Sequence, residues 1–353
     1  MKGRQIILDH IGDREAAALM VDGRLEDLLV DSDAPRPGTI YRAIAQRPMK
    51  GQGGLFLDTP DGTAYLRQIK GIAPGQALLV QVTGFAEPGK AIPVTTRLLF
   101  KSRYAIVTPE APGVNLSRRI HDEEERIRIL AAAGTDLAEA SPHGIILRSA
   151  CEGADEDEIA EDVDAMLDMA NAVLADAEGP AEKLTEGDGP HLLAWRDWSD
   201  PAVVETDPGS FARLDVLDAI AALSSPRTPL PGGAFLFVEP THALVAVDVN
   251  TGADTSLAAG LKANIAAARD LPRQLRLRGL GGQILIDLAP MPKKDRRTFE
   301  SSLRAAFKQD TEETVLAGWT PLGNYELQRK RGREPLAGLI AETASGDAAG
   351  DNG

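Results

Sequence analysis

Apolar residues recur along this chain at two periods, and the change from one to the other marks its organisation. The first 35 residues hold three short runs, RQIILDH, AAALMVDG and RLEDLLVD, divided by Gly and Asp, which predicts two or three short strands. After the interruption PRPGT, similar segments follow at close spacing from residue 40 to about 107: TIYRAIAQ, GGLFLDTPDGTAYL, QALLVQVTG and AIPVTTRLLF. Short strands with turn signals between them predict a small barrel. The period then lengthens. Residues 117–133 and 155–175 read as helices; in the second, Ile159, Val163, Met166, Leu167, Ala170, Val173 and Leu174 recur at three- and four-residue steps, the spacing of one helix face. Residues 178–190, rich in Gly, Pro, Glu and Asp, read as an exposed loop.

The last third alternates between the two patterns. PLPGGAFLFVEP and HALVAVDVNTG read as strands, about 257–278 as a helix, GGQILIDLAP as a strand, about 294–309 as a helix and 314–317 as a strand. Such alternation predicts an α/β layer with buried, parallel-type strands at its centre. The tail ETASGDAAGDNG, small and polar, is expected to be disordered.

Within this α/β layer, the apolar run ALVAVDVN meets Asp248 and GQILID ends in Asp287. A strand that is apolar throughout is buried, so a carboxylate at its C-terminal end emerges at the sheet edge where open α/β folds bind ligands. If the two strands are neighbours, their backbones lie about 4.8 Å apart. Carboxylates that close repel unless a cation or proton lies between them. Hard Mg²⁺ or Mn²⁺ suits two carboxylates with no His or Cys nearby. Asn250, two residues beyond Asp248, shares its side of the strand and could orient that carboxylate or bind a phosphate oxygen. Aspartates at strand ends also start turns and cap helices. The pair with Asn250 and the glycines Gly252, Gly281 and Gly282 tips the balance toward function, but spacing leaves both readings open.

Charge complicates a nucleic-acid reading. The net charge is −15 and the pI near 4.9, which alone argues against a phosphate-rich partner. From Lys262 to Arg333, however, 15 Lys or Arg stand against 8 Asp or Glu, an excess of +7 that either a binding surface or a solvated helix would produce. The single cysteine, Cys151, allows no intramolecular disulfide and no CxxC zinc pair. The N-terminal MKGRQIILDHIGDRE lacks the apolar core of a signal peptide, and no run approaches a membrane span, so a cytoplasmic protein is expected. No GxxxxGK[ST] or GxGxxG loop supports a nucleotide-binding enzyme.

HALVAVDVNTG, then ANIAAARDLPRQLRLRGLGGQILIDLAPM, then LGNYELQRKR strongly resemble, in order, the catalytic region of the bacterial ribonuclease E/G family, with RQLRLRGLGG among the most specific runs. The resemblance implies a multi-subdomain α/β protein in which an OB-fold β-barrel is inserted in a reduced ribonuclease H-like subdomain, followed by a deoxyribonuclease I-like α/β catalytic subdomain. Its parts would be 1–35, the first ribonuclease H-like half; 36–107, the RNA-binding barrel; 108–190, a 5′-end-sensor-like region; 191–230, a ribonuclease H-like remnant containing AVVETDPGSFARLDVLDAIAAL; 231–338, the catalytic subdomain; and 339–353, the tail.

Asp248 and Asp287 match the family's metal-ligating aspartates and Asn250 the asparagine of its catalytic DxN. There the metal activates a water that attacks a phosphodiester of single-stranded RNA, leaving a 5′-phosphate and a 3′-hydroxyl. Phe56 and Tyr65 match aromatic positions of the RNA-binding barrel and Lys90 a basic one; stacking on such rings needs no base specificity. NLSRRI and HGIILRSA resemble the 5′-end sensor, with Arg148 and Ser149 at the positions that hold a terminal monophosphate, Ser149 standing where relatives usually have Thr.

Departures from the family pattern matter. The chain lacks CPxC-type cysteines, so neither structural zinc nor a zinc-linked dimer is expected, although an oligomer is possible. CEGADEDEIAEDVDAMLD sets many carboxylates beside the 5′-end pocket, where they would repel RNA unless they face away. The expectation is therefore a Mg²⁺-dependent endoribonuclease acting on single-stranded RNA in RNA processing or decay; the alternative is an RNA-binding relative with weak or no turnover.

Overall fold

Strands β1 (Arg4–Ile11), β2 (Arg14–Val21) and β3 (Arg24–Val30) pair as an antiparallel meander. Asp22 and Gly23 join the last two with φ of 50° and 78°, the left-handed pair that a two-residue hairpin with right-handed twist demands. These strands open the chain of a computed structural model that describes residues 3–47, 53–67, 71–134 and 141–341. The tail expectation lies outside the described residues from 342 onward. The chain divides into two compact units, 1–32 with 203–353, and 33–202.

In the second unit, β4 (Ile40–Ala45), β5 (Gly54–Thr59), β6 (Gly62–Arg67), β7 (Ala77–Val82) and β8 (Ile92–Thr95) form the expected OB-like barrel. Pairing runs β4-β5-β6-β8-β7 and returns from β7 to β4, which removes the barrel's open edge. Alternate side chains, among them Tyr41, Leu57, Ala64 and Val80, fill its core.

Strands β9 (Phe100–Lys101), β10 (Ala105–Thr108) and β11 (Gly113–Leu116) precede helix α1 (Glu123–Ala132), with β12 (Gly144–Leu147) and helix α2 (Glu156–Ala175) after it. The first helix begins later than its sequence suggested. Asp122 caps it by accepting the Glu125 N–H at 3.0 Å, and residues 117–121, after β11, form a turn and irregular chain instead. Helix α2 buries Ile159, Val163, Leu167, Ala170 and Val173, the face its spacing marked.

The exposed loop expected at 178–190 contains a strand, β13 (Glu182–Thr185), antiparallel to β4. Buried Arg42 of β4 holds it there, pairing with Asp176 and Glu182 and donating to the Pro180 carbonyl at 2.7 Å. A four-residue edge strand of polar composition carries no periodic signal. Helix α3 (Pro190–Asp197) ends this unit's regular structure.

The first unit resumes with β14 (Val203–Glu205), parallel to β1, then α4 (Ser210–Arg213) and α5 (Val216–Ala222). Asp9 of β1 accepts the Phe211 N–H at 2.8 Å, and Phe211, Val216 and Ile220 pack with Ile7, Ala16 and Leu28. The AVVETDPGSFARLDVLDAIAAL segment thus adds one strand to the sheet of residues 4–30 and packs its helices on it in one core.

Next come β15 (Arg227–Pro229), β16 (Phe235–Pro240), β17 (Val245–Asn250), α6 (Ala259–Leu277), β18 (Gly282–Asp287), α7 (Arg296–Lys308), β19 (Thr314–Trp319) and β20 (Tyr325–Arg329). They build a mixed sheet in the order β15-β16-β17-β18-β20-β19. Its central pair β17–β18 is parallel, with α6 as the crossover, and the other pairs are antiparallel. Leu236, Val247, Ile284, Tyr325 and Leu327 pack beneath Ala267, Leu271, Leu275, Phe299 and Leu303 of α6 and α7.

The basic excess of residues 262–333 is partly internal. Arg276 and Arg329 hold the buried Asp310, Arg276 and Arg333 hold Asp27, Arg273 pairs with Asp270, and Arg278 donates to the Leu223 carbonyl. Burial would raise the Asp27 carboxyl, but the two guanidinium groups outweigh it and keep it below the usual carboxylate range. Among the described residues, no helix is long and apolar enough to cross a membrane.

Candidate active site

The β17–β18 register sets Val245 opposite Ile284, Val247 opposite Ile286, and Asp248 opposite Asp287. Alternation buries the valines and isoleucines under the helices and turns both carboxylates to the other, exposed face. Two acids 39 residues apart in sequence therefore stand side by side at the C-terminal ends of the two central strands. Asn250 points the same way, and its Nδ2 donates to Asp248 Oδ2 at 2.8 Å. That bond fixes one carboxylate oxygen.

The loops leaving these strands are held tightly. Gly252, at φ 63°, packs so closely that a Cβ there would lie 2.2 Å from the Gly233 carbonyl oxygen. Behind Asp287, the fully buried Asn264 of α6 clamps Ala289, donating to its carbonyl at 2.8 Å and accepting its N–H at 3.0 Å. Asn264 was not singled out in the sequence, although an amide on the apolar face of a helix is the signal that could have found it.

In the barrel, Phe56 and Tyr65 are register partners with ring centroids 5.2 Å apart and tilted by 50°. Both are partly exposed and stand outside the barrel core. Lys90 lies in the β7–β8 turn, its Nζ 2.7 Å from Glu87 Oε2.

Arg148 follows β12, and Ser149 opens the next short turn. The Arg148 guanidinium is already engaged: it donates to Asp197 Oδ1 at 2.7 Å, to the Arg196 carbonyl at 3.3 Å and to the Ser102 carbonyl. Burial would raise the Asp197 carboxyl, but Arg196 and Arg148 outweigh it and hold it below its usual range. The acidic helix α2 faces the β9–β10 turn, whose Ser102 carbonyl Arg148 also reaches: Asp162 accepts from the Tyr104 N–H at 2.9 Å and from Ser102, and Glu158 accepts from the Tyr104 hydroxyl at 2.8 Å. The carboxylate that meets Arg148 is nevertheless Asp197, outside that acidic run.

A model of the ribonuclease E/G family matches residues 100–205 and 199–332, which contain Arg148, Asp248, Asn250 and Asp287. The chain belongs to the ribonuclease E/G family. Ribonuclease E of Nostoc sp. (strain PCC 7120) is 27% identical over 400 residues, covering 96% of this chain. Ribonuclease G of Escherichia coli (strain K12) is 28% identical over 403 residues, covering 95% of this chain and 81% of its own length. The chain spans only 57% of the Nostoc ribonuclease E and of ribonuclease E from Synechocystis sp. (strain PCC 6803), which is 27% identical.

Proposed function

We propose that this ribonuclease E/G family member is a Mg²⁺-dependent endoribonuclease that cleaves single-stranded RNA to 5′-phosphate and 3′-hydroxyl ends in cytoplasmic RNA processing or decay. The observation that carries the reading is the direct register of Asp248 with Asp287, one of them oriented by Asn250. In this reading the β1–β3/β14 layer is the reduced ribonuclease H-like part, and the β15–β20 sheet is the deoxyribonuclease I-like catalytic part.

The donor set fits the metal. Paired exposed carboxylates offer the hard oxygens that Mg²⁺ or Mn²⁺ prefers, and their mutual repulsion favours a divalent cation. Bound by Asp248 and Asp287, the ion supplies acidity to a water and offsets charge on the phosphate. Asn250 keeps the Asp248 carboxylate in one orientation, and the Asn264 clamp fixes the loop that follows Asp287. Exposed Lys293 and Lys294, just beyond that loop, add positive charge for the RNA backbone. Phe56 and Tyr65 stack bases, and the exposed Lys90 exchanges its partner Glu87, a surface pair of little strength, for a phosphate.

The test is a 5′-monophosphorylated single-stranded oligoribonucleotide incubated with the full chain. Cleavage in Mg²⁺, loss in EDTA and recovery with excess Mg²⁺ or Mn²⁺ are expected. An intact substrate in Mg²⁺ overturns the reading; salt-sensitive binding without cleavage identifies the RNA-binding alternative.

Recognition of a 5′-monophosphate by Arg148 and Ser149 requires Asp197 to yield the guanidinium. Asp197→Asn is therefore expected to raise the ratio of cleavage rates on 5′-phosphorylated over 5′-hydroxyl RNA by about tenfold, the scale of one charge-assisted hydrogen bond. Arg148→Ala removes that preference. A ratio unmoved by Asp197→Asn shows that the carboxylate does not compete with the phosphate.

A further inference from the structure

Four strands of the catalytic sheet bring one register row onto the face that carries the carboxylates. Arg227 of β15 is opposite Phe237 of β16, Phe237 is opposite Asp248 of β17, and Asp248 is opposite Asp287 of β18. Directly paired residues share a face. Cation, ring, carboxylate and carboxylate therefore follow one another across the sheet at about 4.8 Å per step. One row away, Phe235 is opposite Asn250.

The two phenylalanines meet edge to face, with centroids 5.7 Å apart and planes at 90°, and the exposed Arg227 places its guanidinium 4.2 Å from the Phe235 centroid. Neither ring belongs to the core under α6 and α7, which takes Leu236 and Val238 from the same strand. Both rings are partly exposed. An aromatic pair with a cation over it, beside the Asp248–Asp287 pair and outside the hydrophobic core, has the composition of a single-strand nucleotide subsite.

We infer that β15 and β16 form a nucleotide subsite next to the cleavage centre, in which Phe237, braced by Phe235, stacks the base flanking the scissile phosphate and Arg227 engages the neighbouring phosphate. The inference rests on Asp248 and Asp287 marking the scissile phosphate. Arg227 stands two strand spacings from Asp248, about 10 Å, a gap that one nucleotide and the long arginine side chain span together. A guanidinium held on a ring keeps its edge for a phosphate, which an ammonium on a flexible stem does not do as well.

Binding of a fluorescein-labelled single-stranded oligoribonucleotide is measured with Asp248→Asn, so that the RNA stays intact, and an abasic residue is scanned along the oligonucleotide. Adding Phe237→Ala is expected to weaken binding about tenfold, whereas Phe237→Trp binds like the parent. One abasic position should cost the parent a similar factor and the Phe237→Ala protein almost nothing further. Arg227→Ala should reduce the slope of log affinity against log salt by about 0.7, one single-strand phosphate contact.

Parent-like binding by Phe237→Ala, or an abasic penalty equal in both proteins, overturns the inference. If Phe237→Ala fails to fold, judged by its melting temperature, Phe237→Leu keeps the apolar bulk without the ring and carries the same comparison. Binding that follows these expectations in a chain that cleaves nothing refutes the nuclease reading but leaves the subsite. No RNA binding by the parent overturns both.

Discussion

Asp248→Asn is expected to lower kcat for RNA cleavage at least about a hundredfold, the scale of losing one group that stabilises transition-state charge, without lowering the melting temperature in EDTA. The two effects separate because both carboxylates are exposed and lie in direct register. Without a cation, each raises the energy of the other, so an amide in place of one relieves repulsion or leaves stability unchanged. With Mg²⁺ present, the parent chain should gain stability as the ion binds only the folded state, and the variant should lose most of that gain. Thermal melts with and without Mg²⁺, run beside single-turnover cleavage, check both statements. Asp287→Asn should behave in the same way. Parent-like cleavage by either variant, or an unchanged Mg²⁺ response of its melting temperature, would sink the assignment of the pair as the metal site.

Much of this site was legible because two apolar runs meet acids near their ends, a local pattern that burial explains. Their pairing was not. Neighbourhood of β17 and β18 depends on the α6 crossover, which composition does not encode position by position. Phe235 and Phe237 were hidden in AFLFVEP, since FLFV reads as one apolar run; its two-sidedness appears only when Leu236 and Val238 go beneath the helices. The acidic run of α2 looked like the competitor for an expected 5′-end pocket, yet the carboxylate on Arg148 comes from Asp197, 49 residues further along. Charge counting along residues 262–333 suffered similarly, because Arg276 and Arg333 find Asp27 at the other end of the chain. Local periodicity recovered the barrel and the long helices; partners brought together by folding had to be seen.

The same internal ion pairs give the largest expected stability effect. Asp310 has a fully buried side chain held between Arg276 and Arg329, whose own side chain is 1% exposed. Asp310→Ala leaves the Arg329 guanidinium buried with the Thr314 hydroxyl at 3.0 Å and the Phe307 ring 5.9 Å away. Neither carries a compensating charge. Removing one partner of a buried pair costs about 3–5 kcal/mol, because the stranded charge keeps its desolvation penalty. Arg329 closes β20, which pairs with β18, so the loss falls on the sheet that carries Asp287. Urea unfolding should show a lower midpoint with little change in slope. Arg329→Met in the Asp310→Ala background should recover part of the loss by removing the stranded cation, a result that would separate charge burial from simple loss of packing. A cost below about 1 kcal/mol for Asp310→Ala would instead place the pair in a solvated setting, where ion pairs contribute that little.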